Sequence, residues 1–507
     1  MGGAVTRAWA GVDLGTTGVR AVVVDDDGRL LGEGAAPLTG RRDDGRHEQD
    51  PEHWWRATTA ALGEATAAAG EHADVAGVAV DSTSGTFTLL DAGGRPVAPG
   101  LMYDDARAGG TAGLLDDVNR LGAADWATAG YRRMQRSWAL PRLVWWLRTH
   151  GRPEPGVRLA HQGDVVNERL VGHPVATDTS TALKTGADLH GVGWPGGTLA
   201  ALGVPPSLLP DVVLPGTVLG HVGDAAAEAT GLRAGTPVVA GMTDGCASQL
   251  GAGCVTPGAV NAVLGTTLVL KAVAERPVDD PTGVVYSHRS PAGHWLPGGA
   301  SSTGAGAVTA GLADDDLARL TEGAQAALPT GVLRYPLAGQ GERFPFVAGD
   351  AHDLVVGQPR DDVEAFAAGL QGVAFAERLC LDRLDLMGVP LDGAMRVTGG
   401  GTRNPAWTRL RADVLGRPLE RPENSQPALG MAALAAATVG GDPLADVVVR
   451  MVRIAEVVEP GAGPGHGGDR GDRLAEGYRR WVGALTERGW LADDVARHAL
   501  ERTPTWA

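Results

Sequence analysis

The chain has 507 residues and a formal net charge of −16. That length predicts two large domains of roughly 200–250 residues rather than one core. The acidic balance argues against a nucleic-acid or anionic-membrane binder, because such proteins need a basic surface. Lys184 and Lys271 are the only lysines and no Gly-Lys pair exists, which excludes a phosphate loop of the GxxxxGK[ST] type.

Cysteine content and hydropathy narrow the class of protein further. The three cysteines, Cys246, Cys254 and Cys380, form no CxxC motif. This odd count predicts neither a disulfide framework nor a zinc site and indicates a reducing compartment. No apolar run approaches the roughly 20 residues of a membrane span. We therefore expect a cytoplasmic protein with no nucleic-acid or membrane partner.

The first ninety residues predict a β-meander, a helix and two further strands. A Gly-Thr-Thr-Gly turn at 15–18 separates the first two apolar runs. Asp50 suits the N-cap of the helix, and Pro51 suits its first position. The predicted elements are strands at 8–13, 19–24 and from 29, a helix at 52–69, a strand at 75–80 that ends at Asp81, and a strand at 87–91.

A short repeat predicts that the fold is duplicated. Leu14-Gly-Thr-Thr17 recurs as Leu264-Gly-Thr-Thr267, and each copy lies between two apolar, strand-like runs. We interpret this as two related domains that each offer one Gly-Thr turn to a cleft between them. The predicted divisions are an N-terminal domain at 8–255, a C-terminal domain at 256–458, and a mobile loop with a last helix and tail at 459–507.

Asp13 ends the first predicted strand immediately before its Gly-Thr turn. Backbone N–H groups of such a turn can approach a phosphate closely, and threonine hydroxyls add donors. A carboxylate beside phosphate is best explained by Mg²⁺, because it would otherwise be repelled. An ordinary hairpin with aspartate as a turn residue explains the same sequence.

Asp244 stands between a predicted strand and a run of small residues that begins a helix. At a helix N-terminus the dipole favours the ionised form, as a general base requires. The alternative is that Asp244 only caps the helix.

Two further segments have the composition of binding loops. At 397–416, three glycines between a strand and a helix would let a nucleoside lie on the backbone, and Asn404 would cap the helix or contact adenine. A helix-entry loop with no ligand is the alternative. At Ser82–Thr86 the hydroxyls suit a polyol ligand, although a simple Ser/Thr turn has the same sequence.

In this order and spacing, these segments resemble the FGGY carbohydrate kinases over about residues 8–440. Further matching runs are Glu48–Trp55, Tyr103–Ala108 (with Tyr103 where the family has Trp), Thr177–Ala182, Glu342–Pro345 and Leu429–Ala433. The resemblance implies an α/β fold of duplicated actin-like, ribonuclease-H-like domains. Each would carry a mixed β-sheet flanked by helices, around an interdomain cleft, with sugar bound by the first domain and nucleotide by the second.

The resemblance also implies ATP and Mg²⁺ as cofactors and assigns roles to individual residues. Asp244 would be the catalytic base, and Asp13 would be catalytic by helping to place Mg²⁺. Ser84, with Asp13 and Asp244, would contact the sugar. The nucleotide and its phosphates would contact Thr16, Thr17, Gly265, Thr266, Gly400, Gly401 and Asn404.

The segment Ser82–Thr86 bears on the choice of sugar. It lacks the Arg-Glu pair of glycerol kinases and the Met-His-Gly of typical xylulokinases, and it resembles a ribulokinase-type branch. We therefore expect D-ribulose, phosphorylated at its terminal 5-hydroxyl. D-xylulose is the alternative, because the two ketopentoses differ at one stereocentre.

Two other classes of protein remain open at this stage. One is a catalytically silent sugar- or nucleotide-binding protein on the same scaffold, which the presence of both Asp13 and Asp244 disfavours. The other is an actin- or chaperone-like ATPase acting on protein partners, which would turn over ATP without forming a sugar phosphate.

Overall fold

The structure is a computed structural model that describes residues 5–461 and 469–502. Part of the predicted mobile loop (462–468) and the end of the predicted tail (503–507) lie outside these residues. The chain divides into two compact units. Unit 1 comprises Met1–Val255, His288–Trp295 and Asn424–Arg453, and unit 2 comprises Thr256–Ser287, Leu296–Glu423 and Ile454–Ala507.

The first 255 residues contain thirteen strands and nine α-helices in their described part. The strands are β1 (Thr6–Leu14), β2 (Gly18–Asp25), β3 (Leu30–Pro37), β4 (Arg41–Asp43), β5 (Arg46–Gln49), β6 (Ala73–Ser82), β7 (Phe87–Leu90), β8 (Gly100–Leu101), β9 (Arg158–His161), β10 (Thr177–Asp178), β11 (Val212–Val213), β12 (Val218–His221) and β13 (Pro237–Thr243). The helices are α1 (Pro51–Ala69), α2 (Leu114–Leu121), α3 (Ala123–Ala129), α4 (Ala139–His150), α5 (Gln162–Val171), α6 (Thr179–Ala182), α7 (Gly196–Ala201), α8 (Asp224–Thr230) and α9 (Asp244–Gly251).

The rest of the described chain adds nine strands and eight α-helices. The strands are β14 (Val260–Leu264), β15 (Leu268–Ala272), β16 (Tyr286–Arg289), β17 (Trp295–Ala300), β18 (Leu333–Tyr335), β19 (Leu354–Val356), β20 (Met395–Thr398), β21 (Leu419–Pro422) and β22 (Ile454–Val458). The helices are α10 (Ala305–Thr309), α11 (Asp314–Ala327), α12 (Asp362–Leu386), α13 (Pro405–Leu415), α14 (Pro427–Gly440), α15 (Leu444–Met451), α16 (Asp469–Glu487) and α17 (Asp493–Glu501).

The main sheet of unit 1 has six strands in the order β12-β13-β6-β1-β2-β3. Strands β1, β2 and β3 form the predicted antiparallel meander, while β1, β6 and β13 run parallel to one another. The carboxyl ends of the three parallel strands therefore meet at one edge of the sheet, where ligands of open α/β sheets bind.

The main sheet of unit 2 repeats this arrangement, in the order β16-β17-β15-β14-β20-β21-β22. Here β14 pairs antiparallel with β15 and parallel with β20, and β21 lies parallel beyond β20. Since β1-β2 and β14-β15 are each joined by the repeated Leu-Gly-Thr-Thr sequence, the topology confirms the predicted duplication.

Helix α1 shows how the local sequence sets an element. It begins at Pro51, and the side chain of Asp50 accepts a hydrogen bond from the Glu52 N–H at 2.9 Å, so the predicted N-cap is confirmed. Trp54 and Leu62 are fully buried on the face that packs against the sheet of unit 1. The helix therefore covers one side of the β-meander.

Helix α14 belongs to unit 1, whereas the predicted C-terminal domain at 256–458 includes it. A side chain at Gly11 in β1 would place its Cβ 1.8 Å from the carbonyl oxygen of Ala428. Because Gly11 has no side chain, the start of α14 reaches the backbone of β1. Residues 424–453 therefore leave the second unit and pack on the first.

Each unit has its own apolar core. Trp54, Val80 and Val238 contribute to that of unit 1, and Val397, Phe375 and Trp481 to that of unit 2. Over residues 5–461 and 469–502, no helix is both long enough and apolar enough to cross a bilayer.

Candidate active site

Three aspartates stand at the carboxyl ends of the three adjacent parallel strands of unit 1. Asp13 is the penultimate residue of β1, and Asp81 is its direct partner in the register of β6. Asp244 follows β13 and is the first residue of α9. The structure therefore places the two predicted catalytic residues, Asp13 and Asp244, on one sheet edge with a third carboxyl group.

The three carboxyl groups are close enough to change each other's ionisation. Burial and the charge of Asp244 raise the pKa of Asp13 from 3.8 to about 6, although Asp81 and Arg20 act in the opposite direction. Burial, then the charges of Asp13 and Asp244, raise the pKa of Asp81 well above its ordinary value. Burial first, and then the negative charge of Asp244, are the causes that raise the pKa of both groups.

Asp81 has no described cationic partner. It is fully buried, no described N–H group or hydroxyl donates to either carboxyl oxygen, and its neighbour is the carboxyl group of Asp13. Buried carboxylates need such partners or a cation. A cation beside Asp13 and Asp81 would remove the repulsion, so this donor set fits Mg²⁺, which typically binds one or two carboxylates together with substrate phosphates. In the described part of the chain, no three His, Cys, Asp or Glu side chains form a complete metal cage.

Asp244 is held by the start of α9. Thr243, rather than Asp244, is the N-cap residue, and the Asp244 Oδ1 atom accepts a hydrogen bond from the Gly245 N–H at 2.6 Å. The Thr243 N–H donates to the Ser180 hydroxyl at 3.2 Å, which fixes the end of β13. As the first residue of the helix, Asp244 lies where the helix dipole favours its ionised form.

The side chain of Gln49, the last residue of β5, fixes the first Gly-Thr turn. The Gly15 N–H donates to the Gly18 carbonyl at 3.0 Å, and the Gln49 amide donates to the Thr16 carbonyl at 2.7 Å. Gln49 in turn accepts from the Trp54 indole N–H at 2.7 Å. The side chain of Thr17 lies with Asp13 on the wall of a cavity of about 350 Å³.

The loop that contains Ser84 is anchored at its backbone and leaves one hydroxyl without a partner. The Thr83 N–H donates to Gln162 Oε1 at 3.1 Å, and the fully buried Arg142 guanidinium donates to the Gly85 carbonyl. The Ser84 Oγ atom is buried and has no described hydrogen-bond partner. A ligand hydroxyl would satisfy it.

The residues predicted to bind nucleotide in the second half of the chain surround one cavity of unit 2. It has a volume of about 820 Å³, and its lining includes Gly265, Thr266, Gly400, Gly401 and Asn404. Its apolar wall is formed by Leu317, Phe366, Leu370 and Trp407. A pocket of this size, mostly apolar with a few polar groups, suits a nucleoside.

The glycine loop of this cavity requires glycine at position 399. Gly399 has a φ of 86°, and a Cβ there would lie 2.6 Å from the Leu264 carbonyl oxygen. The loop therefore lies directly against the end of β14. Asn404 ends the loop: its Oδ1 accepts from the Trp407 N–H at 3.0 Å, and its Nδ2 donates to the Thr321 hydroxyl at 3.4 Å. Asn404 thus caps α13 and also lines the cavity.

The main sheets of the two units differ at the strand ends where unit 1 has Asp13 and Asp81. By the repeat, Asp13 corresponds to Val263, whose register partner in β20 is Thr398 rather than an aspartate. Of the two main sheets, only that of unit 1 therefore has paired carboxyl groups at these strand ends. The candidate site of unit 1 is charged, whereas the cavity of unit 2 is largely apolar.

Asp81 was not among the predicted site residues. The sequence did carry a signal for it, because Asp81 ends a buried apolar strand, as Asp13 does. Its place beside Asp13 depends on the pairing of β1 with β6, which no local pattern reveals.

Comparison with known proteins identifies the family. Residues 8–251 match the N-terminal domain, and residues 260–439 the C-terminal domain, of the FGGY family of carbohydrate kinases. A xylulose kinase of Streptomyces coelicolor is 34% identical over 465 residues, which cover 87% of this chain and 90% of the relative. An apulose kinase of Pectobacterium atrosepticum is 29% identical over 498 residues, 94% of this chain and 97% of the relative.

The fold agrees with that match. The crystal structure of a xylulose kinase from Rhodospirillum rubrum superposes with a TM-score of 0.84 at 27% identity, covering 95% of this chain and 99% of that one. This confirms the predicted α/β, actin-like fold of duplicated domains. The chain belongs to the FGGY family of carbohydrate kinases and is a sugar kinase.

Proposed function

We propose that this sugar kinase transfers the γ-phosphoryl group of ATP to the terminal 5-hydroxyl of a ketopentose. The observation that carries the proposal is the group of three aspartates, Asp13, Asp81 and Asp244, at the carboxyl ends of three parallel strands. Phosphoryl transfer requires a base and groups that stabilise charge. The aspartates at this edge of the unit 1 sheet can serve both purposes.

Asp244 is the base in this proposal. Its Oδ1 atom accepts a hydrogen bond from the Gly245 N–H, which helps to orient the carboxylate for the sugar hydroxyl. As the hydroxyl oxygen bonds to the γ-phosphorus, its proton passes to Asp244 and the bond between phosphorus and ADP breaks. Ser84, whose hydroxyl has no described partner, binds the sugar next to Asp13 and Asp244.

The first domain thus binds sugar, and the second binds ATP. Gly265 and Thr266 contact the nucleotide phosphates, while Gly400, Gly401 and Asn404 hold the adenosine against the apolar wall of the large cavity. A hydrophobic wall with a few fixed polar groups is the usual form of a nucleoside site.

Asp13 places Mg²⁺, and Thr16 and Thr17 meet the transferred phosphoryl group. The raised pKa of Asp13 and the burial of Asp81 without a described cationic partner support a cation at this position. When bound, Mg²⁺ neutralises phosphate charge. The turn at Gly15–Gly18 supplies backbone N–H and hydroxyl donors, and Gln49 fixes its shape.

D-ribulose is the first candidate for the sugar. The segment Ser82–Thr86 supports it, because it lacks both the Arg-Glu pair and the Met-His-Gly that mark two other branches of the family. D-xylulose is the second candidate, which the name of the relative from Streptomyces coelicolor favours. A site built to hydrogen-bond a substrate hydroxyl rejects an analogue that lacks that hydroxyl by about 10⁴- to 10⁵-fold.

The test is coupled ADP release with D-ribulose, D-xylulose, pentitols, glycerol and gluconate, with and without Mg²⁺. We expect the highest kcat/KM for D-ribulose, and no turnover without Mg²⁺. A higher kcat/KM for D-xylulose would reverse the order of the two candidates. ADP release that is independent of every sugar would contradict the proposal.

A further inference from the structure

Unit 2 buries a carboxylate that the reaction described above does not use. Glu342 is 3% exposed and lies outside the lining of the large cavity. Its Oε1 atom accepts hydrogen bonds from the N–H groups of Ser302, Arg343 and Phe344, at 2.6, 2.8 and 3.3 Å. Its Oε2 atom accepts from the hydroxyls of Ser301, at 2.9 Å, and Tyr335, at 2.6 Å. All five of these donors are neutral.

Burying a carboxylate in this way costs free energy. A buried carboxylate loses its hydration, and only a full set of donors offsets that loss. The buried charge also affects Tyr335. Burial, and then the charge of Glu342, hold the pKa of the Tyr335 hydroxyl well above its ordinary value. Two of the five bonds lead to one segment, Ser301–Ser302, at the end of β17.

That segment leads directly to the predicted phosphate-binding turn. Ser301 Oγ accepts from the Thr303 N–H at 3.1 Å, and the Thr303 carbonyl accepts from the Leu268 N–H at 2.7 Å. Two residues further on, the Ala305 N–H donates to the Gly265 carbonyl at 2.9 Å, and the Gly306 N–H donates to the Thr266 carbonyl at 3.1 Å. The Gly265–Thr266 turn is therefore hydrogen-bonded along its length to residues 303–306.

The packing between the two segments leaves no room for a side chain at Gly304 or Gly306. A Cβ at Gly304 would lie 2.5 Å from the Thr267 Cα, and one at Gly306 would lie 2.7 Å from the Thr266 Cγ2. Two backbones in such close contact move together. A displacement of Ser301–Ser302 would therefore reach Gly265 and Thr266 through 303–306.

We propose that Glu342 is a positioning residue for ATP, which holds the Gly265–Thr266 turn in the shape that receives the nucleotide phosphates. The proposal rests on the proposed function, since it assumes that this turn contacts the phosphates. Glu342 acts through Ser301 and Ser302 and touches neither ATP nor sugar.

The two oxygens of Glu342 have different hydrogen-bonding partners, and this difference decides which side chain can replace Glu342. Oε1 faces three N–H groups, which can only donate, whereas Oε2 faces two hydroxyls, which can turn and accept. Glu342→Gln can therefore keep its carbonyl oxygen on the N–H groups and donate from its amide to the hydroxyls. Glu342→Ala leaves all five donors without an acceptor.

The experiment compares Glu342→Ala, Glu342→Gln and Ser301→Ala with Asp280→Ala in steady-state kinetics and in nucleotide titrations without sugar. Asp280 is the control: it is a buried carboxylate of the same unit that also accepts five hydrogen bonds, four from neutral groups of Thr282, Val284 and Val285 and one from the Arg383 guanidinium. It does not line the nucleotide cavity. Thermal unfolding of each variant reports its stability.

We expect Glu342→Ala to lower kcat/KM for ATP by about ten- to a hundredfold, as a misplaced binding group does. The KM for the sugar at saturating ATP should stay within about twofold, and Glu342→Gln should recover most of the loss, because the carbonyl oxygen is retained. Asp280→Ala should lower the unfolding temperature yet keep the wild-type KM for ATP.

Equal KM values for ATP in Glu342→Ala, Ser301→Ala and Asp280→Ala would overturn the proposal. If Glu342→Ala does not fold, Ser301→Ala decides the question, because it cuts one link between the carboxylate and the turn. A wild-type protein that phosphorylates no sugar refutes the proposed function instead, and nucleotide affinity without sugar still tests Glu342.

Discussion

Replacing Asp13 by asparagine should stabilise the protein while abolishing its activity. Burial and the charge of Asp244 raise the pKa of Asp13 from 3.8 to about 6. Between these two values the native state binds the proton more tightly than the unfolded state, so native stability falls as the pH rises through this window. A shift of about two pKa units, at about 1.4 kcal/mol each, corresponds to a loss of about 3 kcal/mol above about pH 7. Asparagine keeps the shape of the side chain and carries no charge.

The assay is urea unfolding followed by circular dichroism, without nucleotide or Mg²⁺. At about pH 8 the free energy of unfolding of Asp13→Asn should exceed that of the wild type by up to about 3 kcal/mol, and near pH 4 the two proteins should converge. Asp27→Asn, at an exposed position of the turn after β2, controls for the loss of one negative charge. A difference that is the same at both pH values, or a less stable Asp13→Asn at pH 8, would refute the reasoning.

Three other substitutions test the site and its support. Asp244→Ala should lower the kcat of sugar phosphorylation by at least about a hundredfold, as loss of a general base does, while ATP still binds in a nucleotide titration; unchanged turnover would remove Asp244 from the mechanism. Asn404→Ala should cost about 1 kcal/mol through the lost cap of α13 and raise the KM for ATP, whereas Asn404→Asp should keep the cap but still weaken ATP binding by placing negative charge in the cavity; equal KM values in wild type and Asn404→Asp would contradict this. Arg411→Ala leaves the carboxylate of Glu377 buried without its partner, both side chains being 0% exposed, and should cost about 3–5 kcal/mol in urea unfolding; the double variant Arg411→Met with Glu377→Leu should regain most of it, and a double variant as unstable as the single one would exclude this explanation.

The elements that the sequence predicts well are those set by neighbouring residues. Asp50 and Pro51 start α1, and Asn404 caps α13, because a cap and its helix lie within four residues of each other. The strands on either side of each Gly-Thr turn follow from apolar runs and a four-residue repeat. The sequence also indicates Asp13 and Asp244, because each stands where an apolar strand meets a polar turn.

What the sequence leaves open depends on partners that are distant along the chain. Asp81 becomes part of the site only because β1 and β6 pair with Asp13 opposite Asp81. The place of α14 in unit 1 depends on the contact of Gly11 with Ala428, residues more than 400 positions apart. A helix that is apolar on every side is predicted to be buried, but its sequence does not say against which sheet.

The position of α14 has a consequence for how the protein is made. On a ribosome, residues 1–255 emerge well before the helix that covers β1, and unit 1 acquires residues 424–453 only after most of unit 2 has been synthesised. Part of the apolar surface of β1, the strand that carries Asp13, therefore stays uncovered until nearly the whole polypeptide has been synthesised. Truncation near residue 255 would remove no predicted catalytic aspartate, yet it would yield a lobe without the helix against which Gly11 packs.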